Sequence, residues 1–209
     1  PACTTTNPRR RTDAASLRRS YKTMFIQTES TPNPSTLKFL PGRDVLGVGT
    51  ANFPSVEEAR GKSPLAEALF SVGGITQVFL GADFISVTKD EGREWQTLKP
   101  QILGSIMDHF TMGAPVMIGE ADTEHTEDDG GHPEVVAQIK ELLDERVRPA
   151  VAQDGGDIVF RRFEEGVVYL AMQGACAGCP SSTATLKMGI ENMLRHYIPE
   201  VQAVHPVPY

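Results

Sequence analysis

The sequence predicts an α+β protein made of two small domains. Strand-like and helix-like runs alternate along the chain, and one acidic segment without large apolar side chains interrupts them. A length of 209 residues suits two domains of modest size, each with a small core. We therefore divide the chain into a basic arm at 1–23, a first domain at 24–111, an acidic flexible linker at 112–131 and a second domain at 132–209.

The composition is that of a globular protein, with 40% hydrophobic and 22% charged residues. No apolar run reaches the roughly 18 residues that span a bilayer, so we expect a soluble protein without a membrane partner. The net charge of −7 combines +5 in residues 1–23 with −12 in the remainder. An acidic body argues against nucleic acid as a partner, because phosphate backbones are bound by clustered Lys and Arg.

The basic arm holds six Lys or Arg, one acid and almost no large apolar side chain, which predicts disorder. One interpretation is a translated leader or remnant ahead of a natural start at Met24. The other is part of an organellar transit peptide, which is also Arg-rich and acid-poor. Because the arm has no amphipathic period, we favour the first, which predicts a cytoplasmic, bacterial-type protein; the second predicts the mitochondrial matrix.

Two hairpins are predicted in the first domain. Strand-like runs at 25–28 and 36–40 flank a turn that contains two prolines. Apolar, β-branched runs at 75–80 and 84–87 flank a short turn that contains glycine. Four strands joined in this way predict an antiparallel sheet.

Two helices complete the predicted first domain. Ser63 and Pro64 suit the N-cap and the first turn of one helix. Apolar residues then recur at helical spacing from Trp95 to Phe110, and Pro100 either kinks that helix or marks its first turn. The segment that follows becomes strongly acidic at 120–131, which predicts that the linker lets the domains move independently.

The second domain is predicted to run helix, strand, strand, loop, helix. An apolar stripe from Val136 to Val147 predicts the first helix, with its end at Arg148 and Pro149. A Gly-Gly turn at 154–157 leads into two strands, and a last helix ends before Pro199.

Two cysteines lie three residues apart in the loop before that last helix. Cys176 and Cys179 precede Pro180, which suits the first turn of the helix, and Cys3 in the arm is the only other cysteine. The unpaired N–H groups and the dipole at a helix start favour the thiolate form. A thiolate either binds a metal or attacks a disulfide, so both chemistries stay open.

The number of ligands separates the alternatives. Iron–sulfur clusters and structural zinc usually take four ligands, and one chain offers two, whereas two chains about a two-fold axis offer four. A dithiol oxidoreductase would need no second chain, because Cys176 would attack and Cys179 would resolve. Such motifs usually follow a βαβ unit, and here a hairpin comes first. A zinc-stabilised interaction module is the third alternative.

Two sets of residues carry a family resemblance. Asp154-Gly155-Gly156-Asp157-Ile158, followed by the cysteine loop from Gly174 to Ser182, is similar to the signature of the NifU-like C-terminal domain. The stretches 28–39 and 71–79 resemble the companion N-terminal Nfu domain. Together they cover about residues 24–200, and this combination is typical of the Nfu family of iron–sulfur scaffold and carrier proteins.

The resemblance implies a non-enzymatic carrier without catalytic residues. It implies a [4Fe-4S] cluster held between two protomers by Cys176 and Cys179 of each, with a [2Fe-2S] cluster as the alternative. The implied donor is an upstream cluster-assembly scaffold, the recipients are apo iron–sulfur proteins, and the loaded form is a homodimer. The first domain offers no ligands, so we expect it to dock partners or tune delivery.

Overall fold

The computed structural model of the protein describes residues 25–119, 132–178 and 180–207. The arm at 1–23 and the most acidic part of the linker lie outside these residues. The described chain forms two α+β domains, each with helices packed against a sheet and with its own cluster of buried side chains. The predicted fold class is confirmed. Within the described ranges, no helix is both long and apolar enough to cross a membrane.

The first domain is a five-stranded antiparallel sheet with helices on its inner face. Its elements are β1 (Gln27–Ser30), β2 (Thr36–Leu40), β3 (Ala51–Phe53), α1 (Val56–Ala59), α2 (Pro64–Phe70), β4 (Ile75–Leu80), β5 (Ile85–Lys89) and α3 (Trp95–Met112). The strand order is β1-β2-β5-β4-β3. Both predicted hairpins, β1–β2 and β4–β5, are present. The short elements β3 and α1 were not predicted.

The helices of this domain begin where the sequence indicates. The Ser63 hydroxyl accepts a hydrogen bond from the amide of Ala66 at 3.1 Å, and Pro64 occupies the first turn of α2. In α3, Leu98, Ile102 and Ile106 are buried against the sheet. Pro100 lies inside α3, five residues after its first residue Trp95, so it does not mark the first turn of the helix.

The second domain has a three-stranded mixed sheet. Its elements are α4 (Pro133–Leu142), a π-helical turn (Leu143–Val147), α5 (Arg148–Gln153), β6 (Gly156–Glu164), β7 (Val167–Gly174), α6 (Pro180–Tyr197) and β8 (Ala203–Val207). Strands β6 and β7 form the predicted hairpin, and β8 pairs parallel to β7. The predicted order of elements is confirmed up to α6. Strand β8 was not predicted, because Pro206 weakens its strand signal.

The first helix of this domain does not end at Arg148 and Pro149, as the sequence suggests. The chain widens into the π-helical turn, in which the amide of Arg148 donates to the carbonyl of Leu143, and it continues helically to Gln153. Proline cannot donate the next helical hydrogen bond, and the wide turn accommodates that loss. The helix therefore reaches the glycine turn beneath the cysteine loop.

The two domains touch through the outer face of the first sheet. Along β4, Val78 and Leu80 belong to the first domain's core, so the alternation of a strand directs Phe79 to the opposite face. Phe79 is nevertheless 0% exposed, and a Cβ on Gly174 of the second domain would lie 2.9 Å from its ring. This contact was not predicted, because the sequence indicated only a flexible linker between independent domains.

Candidate metal centre

The cysteine loop begins where β7 ends and leads into α6. The amide of Cys176 donates to Gln173 at 3.3 Å and that of Ala177 donates to Gly174 at 3.1 Å, so the chain folds into successive tight turns. Gly174 has φ +59, and a Cβ there would lie 2.7 Å from the carbonyl oxygen of Gly155. Glycine is required at this position by both the backbone angle and the close approach.

The Asp-Gly-Gly-Asp stretch lies directly beneath this loop. The carbonyl of Gly155 accepts a hydrogen bond from the amide of Ala175 at 3.1 Å. A Cβ on Gly156 would lie 2.5 Å from the sulfur of Cys176. The second glycine is therefore needed because the thiol occupies the space where a side chain would be. The Asp-Gly-Gly-Asp stretch and the cysteine loop, which together resemble the NifU-like signature, therefore pack directly against each other.

Asp157 holds this arrangement in place. Its carboxylate accepts two hydrogen bonds from Arg148, at 2.8 and 2.7 Å, a third from the backbone of Ile158 and a fourth from the Thr50 hydroxyl at 2.9 Å. The ion pair holds the pKa of Arg148 above its ordinary value. In the sequence, Asp157 is a turn residue within the family-like signature, and no local pattern indicates its partners.

Cys176 is a buried core residue in this conformation. It is 6% exposed and belongs to the second domain's apolar cluster. Burial raises the pKa of its thiol to about 12, and the negative charges of Asp154 and Asp157 add to the rise. The expectation that the helix start favours a thiolate is wrong for Cys176, because its sulfur is packed against Gly156 and beside two carboxylates.

Cys179 and Cys3 lie outside the described residues. The pairing of the sulfurs of Cys176 and Cys179 therefore stays a prediction. Within residues 25–119, 132–178 and 180–207, no group of three or more His, Cys, Asp or Glu side chains is placed to hold a metal ion.

Two residues that sequence reasoning did not single out bind the backbone of the loop. The hydroxyl of Thr183, in α6, donates to the carbonyl of Cys176 at 3.1 Å. The side-chain amide of Asn33, in the first domain, donates to the carbonyl of Ala177 at 3.0 Å. Thr183 follows the motif directly and could have been suspected. Asn33 lies in the family-like stretch 28–39, but it is 144 residues away from Ala177 in sequence, and nothing in that stretch indicates the contact.

Comparison with protein families matches both halves of the chain. The model described as "Scaffold protein Nfu/NifU N terminal" matches residues 26–113, and the model described as "NifU-like domain" matches residues 139–205. The chain belongs to the Nfu/NifU family. The resemblance of its two motif sets is thereby confirmed, and each family domain falls on one of the two folded units.

Relatives in this family are similar over most of the chain. The NFU1 iron-sulfur cluster scaffold homolog, mitochondrial, of Drosophila ananassae is 55% identical over 190 residues, which are 89% of this chain and 65% of that protein. NifU-like protein 4, mitochondrial, of Arabidopsis thaliana is 53% identical over 190 residues, or 88% and 66%. This chain thus spans about two thirds of each relative. The NMR structure of a NifU-like protein from Saccharomyces cerevisiae is 28% identical, with a TM-score of 0.42, and covers 46% of this chain and 87% of its own.

Proposed function

We propose that this protein is an iron–sulfur cluster scaffold or carrier that delivers clusters to apo-proteins. The observation that carries the proposal is the cysteine loop between β7 and α6, in a chain that has both domains of the Nfu/NifU family. The name of the Drosophila ananassae relative, which describes an iron–sulfur cluster scaffold, supports it. The protein acts by holding and releasing its cargo, not by catalysis.

The cargo we propose is a [4Fe-4S] cluster shared by two protomers, with a [2Fe-2S] cluster as the alternative. Cys176 and Cys179 of each chain supply the four thiolates, and the two-fold axis of the homodimer passes through the cluster. A site on a seam between chains can be opened by separating them. An upstream assembly scaffold is the donor, and apo iron–sulfur proteins are the recipients.

We propose mitochondria as the compartment. The relatives from Drosophila ananassae and Arabidopsis thaliana are both named as mitochondrial proteins. Their names favour the transit-peptide interpretation of the basic arm at 1–23 over the cytoplasmic one that we preferred from the sequence.

Anaerobic reconstitution tests the function. Incubation of the full chain with iron and sulfide should give a coloured dimer with about two irons per chain for [4Fe-4S], or about one for [2Fe-2S]. Cys176→Ser should bind little cluster, because one ligand is lost at each end. Cys3→Ser is the matched control and should load normally, since Cys3 lies outside the loop.

Three results would contradict the proposal. The first is a normal complement of cluster in Cys176→Ser. The second is zinc without iron in anaerobically purified protein, which would indicate a zinc-stabilised module. The third is metal-free insulin reduction that depends on Cys176, which would indicate a dithiol oxidoreductase.

A further inference from the structure

The outer face of the first domain's sheet is buried, although such a face of an antiparallel sheet is ordinarily solvated. We call Asn33, Lys38, Phe79 and Ser86 the docking face. Their exposed fractions are 4%, 7%, 0% and 1%. None of them belongs to the first domain's own apolar cluster among the described residues. All four side chains contact the second domain, although Lys38 also pairs with Glu29 at 3.7 Å and lies over the Phe84 ring within its own domain.

Lys38 binds the end of a helix in the other domain. Its ammonium group donates to the carbonyls of Ala152 at 3.1 Å and Gln153 at 3.0 Å, the last two residues of α5. The final carbonyls of a helix lack intrahelical partners and carry the negative end of its dipole. A buried lysine also needs acceptors. The contact therefore satisfies polar groups of both domains.

Ser86 and Asn33 bind the turn and the loop themselves. The hydroxyl of Ser86 donates to the carbonyl of Gly155 at 2.6 Å, and this carbonyl also accepts from the amide of Ala175. Asn33 donates to the carbonyl of Ala177, which lies between the two cysteines in sequence. The docking face thus binds both the turn that packs against Cys176 and the residue that follows Cys176 in the loop.

One side of the loop faces the first domain across a cleft in this conformation. Ala177 and Gly178 line a cleft of about 700 Å³, whose first-domain side includes Asn33, Thr76 and Lys89. That volume is the size of a small-molecule site. A second cysteine loop would arrive attached to a whole second domain, which such a cleft cannot admit.

We propose that the docking face is an intramolecular cover for the cysteine loop. The docked form excludes the loop of a second copy, so the two domains separate before two chains share a cluster. This inference rests on the proposed function and assigns the first domain a role in controlling it. In the docked form the docking face binds the second domain of the same chain. In the loaded form the cysteine loop instead faces the second domain of another copy.

The chemistry of the contact suits reversible docking. Three of the four docking-face residues donate hydrogen bonds to backbone carbonyls, and Thr50 of the same domain donates one to the Asp157 carboxylate. Water can satisfy all of these groups after separation, so the net cost of breaking each bond is modest. Phe79 is the apolar residue of the face, and separation would expose its ring. The contact can therefore stabilise the docked conformation of the metal-free chain while leaving the separated conformation accessible for loading.

Two charge substitutions on adjacent strands test the proposal. Lys38→Glu on β2 and Ser86→Asp on β5 would each place a carboxylate against backbone carbonyls of the second domain, which is repulsive. Lys62→Glu and Thr97→Asp carry the same charge changes at exposed positions of the first domain and serve as controls. Hydrogen exchange at Ile102, in the buried face of α3, verifies that the first domain of each variant stays folded.

Small-angle X-ray scattering of the metal-free chain measures the radius of gyration, which reports whether the domains are docked when no cluster is present. Both docking-face variants should have a larger radius of gyration than the wild type and than both controls. In anaerobic reconstitution they should form the loaded dimer about tenfold faster, because the open form is more populated. The controls should match the wild type in both measurements.

Two outcomes would overturn the inference. One is an unchanged radius of gyration in both docking-face variants, which would mean that this face does not hold the domains together. The other is an increased radius with a wild-type loading rate, which would mean that docking does not limit loading. If the wild type takes up no cluster at all, the proposed function fails instead, and the scattering result still reports on docking.

Discussion

Under the proposed function, the thiol of Cys176 would have to meet two opposed requirements. A cluster ligand must be a thiolate, but this thiol is buried beside Gly156 and close to the carboxylates of Asp154 and Asp157. Both effects keep it protonated at neutral pH. If Cys176 binds the cluster as proposed, binding would have to displace the proton and bring the sulfur out of its packed position, and part of the binding energy would be spent on that rearrangement.

The raised pKa of Cys176 predicts how stability depends on pH. Because the folded value of about 12 exceeds the ordinary 9.0, the unfolded chain loses its thiol proton first as the pH rises. The contribution of Cys176 is complete below pH 9 and is lost progressively toward pH 12. From about pH 8 to pH 10, the free energy of unfolding of the metal-free chain should fall by about 1.4 kcal/mol more in the wild type than in Cys176→Ala.

Urea unfolding under reducing conditions measures this difference. The alanine variant loses packing at every pH, so only the change of the difference with pH is informative. Cys3→Ala is the control and should keep the wild-type dependence. Parallel curves for the wild type and Cys176→Ala would show that the thiol titrates in the folded chain as it does in the unfolded one.

At the scale of elements, the ion pair of Arg148 and Asp157 joins the start of α5 to the start of β6. The Asp157 side chain is 4% exposed and that of Arg148 is 29% exposed, so water screens the pair only partly. Arg148 also contacts Asp144 of the π-helical turn at 3.1 Å. This one guanidinium therefore connects three consecutive elements beneath the cysteine loop.

Removal of that guanidinium should destabilise the second domain strongly. Arg148→Met leaves the Asp157 carboxylate buried without its cation, which should cost about 3 kcal/mol of unfolding free energy. Lys62→Met is the control, because its pair with Glu58 is exposed on both sides and should cost about 0.5 kcal/mol or less. Equal losses in the two variants, measured by urea unfolding, would show that burial adds nothing to the Arg148 pair.

Local patterns predicted most elements, and the exceptions have identifiable causes. The cap of α2 and the apolar periods of α2, α3 and α6 are properties of neighbouring residues, so the sequence is sufficient to indicate them. The first helix of the second domain continues past Pro149 because a π-helical turn stands where the end was expected. No local sequence pattern predicts such a turn. Strand β8 depends on its partners: it pairs with β7, and its Val204 amide donates to Glu191 of α6.

At the scale of the whole molecule, the environment of the cysteine loop is built by both domains. The motif and its two cysteines were evident from the sequence, and so was the family. The contacts of Asn33, Lys38 and Ser86 were not, because each joins a turn or strand residue to a backbone carbonyl at least 69 residues away. Every residue has a backbone carbonyl, so the sequence does not show which carbonyl accepts a hydrogen bond from a distant side chain. Such bonds can be identified only in the folded structure.

A substitution at Phe79 in the first domain should affect the cysteine loop in the second domain. Its ring is fully buried against the Gly174 region, so Phe79→Ala should leave a void at the contact and weaken docking. The amides of Ala175 and Cys176 should then exchange with solvent about tenfold faster, since their turn loses its support. Phe25→Ala is the matched control, because Phe25 is 77% exposed, and it should leave the exchange unchanged. Exchange that is equally slow in Phe79→Ala would mean that the second domain holds its loop without help from the first.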